Sequence, residues 1–75
     1  MQGLDLLKPG KTYSVSVWKH GKLVIWENVK FLSIYKGIAL FNTNYKTTGG
    51  ALVLHVNIAD SRNAVKLPEK KFVNR

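Results

Sequence analysis

The segment SVWKHGKLVIW at positions 16–26 leaves the chain little conformational freedom. Two arms of alternating apolar residues meet at His20-Gly21, and a two-residue turn between such arms reads as a β-hairpin. The turn sets the register: Lys19 faces Lys22, Trp18 faces Leu23, Val17 faces Val24, Ser16 faces Ile25, Val15 faces Trp26 and Ser14 faces Glu27. Successive side chains of a strand point to opposite faces. Tyr13, Val15, Val17, Val24 and Trp26 therefore share one face, expected to be the core. Ser14, Ser16, Trp18, Leu23, Ile25 and Glu27 share the other. Trp26 is expected inside and Trp18 outside.

The alternation loses its parity after Trp26. Continued unchanged, it buries Asn28 and Lys30; shifted by one residue, it buries Val29, Phe31, Ser33 and Tyr35. One extra residue at Glu27-Asn28, a β-bulge, makes that shift and bends the strand. A second tight turn, Lys36-Gly37, pairs Tyr35 with Ile38, Ile34 with Ala39, Ser33 with Leu40 and Leu32 with Phe41. Both faces are apolar near this turn. Either Leu4, Leu6 and Leu7 of the lead-in fold over the second face, or another molecule covers it.

The remaining segments follow the same reasoning. KPGK at 8–11 is a type II turn signal, with Pro9 presetting φ and Gly10 taking the positive-φ position. NTNYKTTGG at 42–50 reads as a polar loop. ALVLHVNI at 51–58 reads as a fourth strand, with Leu52, Leu54, Val56 and Ile58 inward and Val53, His55 and Asn57 outward. ADSRNA at 59–64 is expected to form one helical turn, capped by Asp60 or Ser61. VKLPE is a short last strand stopped by Pro68, and 68–75 form a basic tail.

At 75 residues the chain is expected to be one domain with a small core. It has no cysteine, so neither disulfides nor thiolate zinc sites can hold it together, which suits a reducing, cytoplasmic location. No apolar run approaches the roughly 18 residues of a membrane-spanning helix. The opening MQGLDLLKPGK lacks the form of a signal peptide, and none is expected. The balance of 12 Lys+Arg against 4 Asp+Glu gives a net charge of +8. Such a field gathers and steers polyanions. Ten of the 12 cations are lysines, the arginines being Arg62 and Arg75. Lysine acts on phosphate as a point charge, whereas bidentate reading of guanine favours arginine. The composition thus points to backbone contact with weak sequence preference.

The order of elements from Lys11 to Leu67, four strands, a helical turn and a short fifth strand, resembles the SH3-like small β-barrel shared by SH3, Tudor, KOW and Sm-type modules. The resemblance implies an all-β, five-stranded barrel; an OB-like barrel is the alternative. The chain lacks the acidic loop with which true SH3 domains bind proline-rich peptides. KGIALF is similar to the RNA-binding signature of RRM and cold-shock domains at Lys36, Gly37 and Ala39. Ile38 and Leu40 stand where the stacking aromatics belong.

No catalytic constellation is visible. His20 and His55 lie 35 positions apart with no carboxylate at ligand spacing. Neither an enzyme, a metal, a cofactor nor a small-molecule substrate is expected. The reading is a small basic binding module that takes DNA or RNA through Trp18, Lys19, His20, Lys22, Lys30 and Lys46. The alternative is a protein-interaction module, as a homodimer or a small inhibitor or adaptor, using Leu23, Ile25, Leu32, Ile34 and Phe41. No membrane partner is expected.

Overall fold

His20 and Gly21 have φ of 53° and 74°, and Lys36 and Gly37 have φ of 50° and 78°. Positive φ at both central residues marks a type I′ turn, whose twist matches that of the strands it joins. The turns separate β1 (Thr12–Lys19), β2 (Lys22–Tyr35) and β3 (Ile38–Thr47); β4 (Gly50–Asn57) and β5 (Ala64–Lys66) follow. The structure is a computed structural model and describes residues 1–68. The expected basic tail beyond Pro68 lies outside the described residues. All five strands belong to one antiparallel sheet of order β4-β3-β2-β1-β5, open between its edge strands.

The first hairpin has the expected register from Lys19↔Lys22 to Val15↔Trp26. Tyr13 then pairs with Val29, so β2 carries one extra residue at Glu27-Asn28, where Asn28 has φ 58°. The expected pairing of Ser14 with Glu27 is lost at this bulge; on the other side of β1, Ser14 pairs with Lys66 of β5.

A second bulge was not expected. Ser33 pairs with Leu40 but Phe31 with Phe41, leaving Leu32 as the extra residue of β2. Without it, Leu32 would face Phe41, and Phe31 would fall on the opposite face. The bulge brings the two rings together, with centroids 5.4 Å apart. Its consequence is that Ser33 and Tyr35, expected inside, are exposed, Tyr35 by 63%.

The core contains Tyr13, Val15, Val17, Val29, Phe31, Ala39, Phe41, Val56 and Val65. Val56 comes from one edge strand and Val65 from the other, so the sheet curls around a single cluster in a barrel-like way. Met1, Leu7, Trp26, Leu54 and Ile58 pack on it half-buried. Val24, expected in the core, is exposed, because it lies near the hairpin tip beyond the cluster.

The lead-in packs against β5 instead of covering the β2–β3 hairpin. Gln2 forms a parallel bridge to Ala64, and Leu4–Leu6 make one turn of 3-10 helix. The Tyr13 hydroxyl donates to Leu6 O at 2.6 Å and accepts the Lys8 N–H at 2.8 Å, fixing the lead-in to β1. Gly3 sits so close to β5 that a Cβ would lie 2.2 Å from Val65 O. Lys8 to Lys11 close the expected turn through a 3.1 Å backbone bond, with Gly10 at φ 88°.

Two further expectations change. Positions 42–47 are strand, not loop: β3 runs to Thr47 and a tight Thr48-Gly49 turn leads into β4. Two extra residues sit on β3 between Asn42↔Val53 and Lys46↔Ala51. Thr43 Oγ1 stabilises this distortion, donating to Leu52 O at 2.9 Å and accepting the Tyr45 N–H at 3.3 Å. The segment 59–64 forms two successive turns, closed by Asp60 N–H to Asn57 O and Asn63 N–H to Asp60 O, instead of a helical turn. Asn57 Oδ1 and Asp60 Oδ1 take the N–H groups of Ala59 and Arg62. Such local side-chain bonds compete with helix formation.

Candidate nucleic-acid interface

The tip of the first hairpin presents Lys19, His20 and Lys22, all exposed, with Lys19 directly opposite Lys22. Alternation along the strands gives both lysines the face of Val17, Val24 and Trp26. Trp18 pairs with Leu23 on the other face. By alternation Trp18 falls on the face opposite the two lysines, although it borders the same cleft as Lys19.

Trp18 already has a partner. The Arg62 guanidinium lies 5.3 Å from its ring centroid, and the Trp18 backbone N–H donates to Asn63 Oδ1 at 2.8 Å. Arg62 is itself held by a two-point contact with Asp60, Nε to Oδ1 and Nη2 to Oδ2, each 3.0 Å. The side-chain bond from Arg62 is the main cause that lowers the Asp60 carboxyl below its ordinary range, and the same bond raises Arg62. Trp18 is 37% exposed and engaged by a cation of its own chain.

A different aromatic residue accompanies the lysines. β3 runs antiparallel to β2, so the Thr48-Gly49 turn lies at the same end of the sheet as His20-Gly21. There Tyr45 meets Trp26 edge-on, with centroids 6.0 Å apart and planes at 78°. Asn44 Nδ2 donates to Asn28 O at 3.2 Å and ties the two hairpins together. Tyr45 is 64% exposed; Lys46, next along β3 and paired with Ala51, is at the same end but on the opposite face. Val17, Trp18, Lys19, Val24, Trp26 and Leu54 border an open cleft of about 420 Å³ at this end, so Trp18 and Lys19 share its wall. Reading 42–50 as a loop hid Tyr45. The signal was present in Thr43, Tyr45 and Thr47, three strand-favouring residues at alternate positions.

Lys30 stands apart. It pairs with Thr12 and Asn42 and lies eight residues beyond Lys22 on β2, a rise of roughly 26 Å in extended chain. Lys36 is at the other end of the sheet, over the Tyr35 ring. Among the described residues the ion pair is Arg62–Asp60, and no described lysine is paired with a described carboxylate.

The expected protein-contact residues also divide. Leu23, Ile25, Leu32 and Ile34 are exposed, but Phe41 is fully buried against Phe31 and belongs to the core. Phe41 is thus withdrawn from the expected contact residues, while Leu32 and Ile34 of the same hairpin stay exposed. Ile25 instead borders a groove of about 460 Å³ with Leu67 and Pro68. Among the described residues, no three His, Asp or Glu side chains converge, and no helix is long and apolar enough to cross a membrane. Compared with known proteins, the chain matches no protein-family model, no curated protein and no solved structure.

Proposed function

We propose that the protein is a small non-catalytic module, an SH3-like barrel in its strand order, that binds nucleic acid through the phosphate backbone. Support for the barrel comes from the order β4-β3-β2-β1-β5 and the twice-bulged β2 that bends between both halves of the sheet. The observation that carries the function is the shared end of two hairpins, where Lys19 and Lys22 accompany an exposed Tyr45, with Lys46 at the same end on the opposite face of the strand. Lysines supply a salt-sensitive attraction for phosphates, and a free aromatic face accepts a base without regard to sequence. Trp18 is replaced in this role by Tyr45, and Lys30 is left out of the patch.

The test is fluorescence anisotropy with single-stranded and duplex oligonucleotides at several salt concentrations. With about three phosphates neutralised, log K for a single strand should fall with log salt at a slope near −2. Lys19→Ala with Lys22→Ala should weaken binding to all sequences alike and flatten that slope by about 1.4. Absence of binding at low salt overturns the reading.

A further inference from the structure

The two edges of the sheet are finished differently. At β5 the outer edge is covered: Val65 N–H donates to Gln2 O at 2.9 Å and Gln2 N–H to Asn63 O at 2.8 Å. That strand is three residues long, carries Lys66 and is soon followed by Pro68. β4 is eight residues long, GALVLHVN, without charge or proline, in a chain of net charge +8. Soluble proteins guard an open edge with charges, prolines, short strands or a covering segment. β5 has all four; β4 has no charge, proline or covering strand, and only side chains reach its outward carbonyls, Asn63 at Asn57 O and its own His55 at Val53 O.

The ladder shows which β4 groups are open. Ile58 N–H donates to Gly37 O at 3.1 Å, and bonded and non-bonded pairs alternate along antiparallel strands. Val56 and Leu54 therefore bond to β3, while Asn57, His55 and Val53 turn their backbone groups away from it. Two side-chain contacts agree: Asn63 Nδ2 reaches Asn57 O at 3.0 Å, and His55 Nδ1 lies 3.1 Å from Val53 O.

We propose that β4 is a self-association edge, pairing antiparallel with β4 of a second copy about a two-fold axis at Leu54. In this register Val53 of each strand exchanges backbone bonds with His55 of the other. Leu54 lies beside Leu54, and Leu52 beside Val56, on the face that continues the core. A second copy is the occupant because β4 is uncharged: two strongly basic chains meet here without lysine opposite lysine. A polyanion finds no cation on this strand. Since the β5 edge is covered, pairing β4 with β4 uses the open edge of each copy and stops at two.

Sedimentation equilibrium of the full chain, without nucleic acid, tests this independently of the proposed function. The mass should rise to twice that of the chain as concentration increases. His55→Pro removes an outward N–H and no bond to β3, so it should give a folded monomer with an unchanged circular dichroism spectrum. His55→Lys, at an exposed position, puts a lysine on each side of the axis and should weaken association, with recovery in high salt. If His55→Pro fails to fold, the lysine variant decides. A wild-type monomer at every concentration, or a dimer that the folded variants leave intact, overturns the proposal.

Discussion

Asn63 accepts the backbone N–H of Trp18 at 2.8 Å through its side-chain oxygen, across 45 positions of sequence. Its amide nitrogen donates to Asn57 O at 3.0 Å. Asn63 is 2% exposed, so one buried side chain joins the end of β1 to the connection between β4 and β5. This junction also sets Arg62, its neighbour, over the Trp18 ring.

Asn63→Ala leaves both of these backbone groups without a protein partner and opens a small void. An unsatisfied buried group costs roughly 1–3 kcal/mol, and the void adds to it. The expected loss in urea denaturation is about 2–4 kcal/mol, a large part of the stability of so small a domain. A loss below about 0.5 kcal/mol would mean that water replaces both bonds.

Gly3 and Gly10 separate steric from conformational cost. Their φ values are alike, 86° and 88°, but an added Cβ meets Val65 O at 2.2 Å at Gly3 and nothing within 4 Å at Gly10. Gly10→Ala should cost roughly 1–2 kcal/mol for the left-handed backbone alone. Gly3→Ala should cost clearly more, because it also displaces the Gln2 bridge from β5. Equal losses in thermal melts would show that the lead-in does not hold this close approach in solution.

These features differ in how far the sequence reveals them. The His20-Gly21 register and the Glu27-Asn28 bulge were legible, because a tight turn and a parity break are local signals. The Leu32 bulge was not. It exists to place Phe31 and Phe41 on one face, and that requirement appears only when the sheet curls into a single core. The same holds for the site. The basic hairpin tip was legible from Lys19 and Lys22, whereas Tyr45 required knowing that positions 42–47 continue β3. The outward position of Trp18 was legible from the hairpin register, but its contact with Arg62 was not, because Arg62 lies far along the chain.

The Asp60–Arg62 pair gives a pH-dependent signal at Trp18. The Asp60 carboxyl is lowered from its ordinary 3.8, chiefly by the side-chain bond from Arg62. A depressed carboxyl stabilises the fold above its unfolded-state value, and that contribution fades as pH falls through the folded-state value. Trp18 fluorescence should therefore be constant from neutrality down to about the ordinary carboxylate range. It should change only below that, as Arg62 is released from the protonated side chain. Asp60→Asn should abolish the step while Trp26 emission stays in place; a Trp26→Phe background isolates the Trp18 signal. A step near pH 6 would assign the change to another group.

The aromatic residues distinguish the proposed site from the bare hairpin tip. Tyr45 is 64% exposed beside Lys46, and Trp18 is 37% exposed under Arg62. If a base stacks at the shared end of the two hairpins, Tyr45→Ala should weaken single-stranded binding by about 1–3 kcal/mol and duplex binding by less, since paired bases keep their own stacks. Trp18→Ala should leave both affinities nearly unchanged. The half-buried Trp26 supports Tyr45 edge-on at 6.0 Å, so Tyr45→Phe should retain most of the affinity by keeping the ring. Anisotropy titrations of the three variants at one salt concentration compare these cases directly. Loss at Trp18 with none at Tyr45 would move the stacking surface from β3 to Trp18 on β1, across the cleft it shares with Lys19.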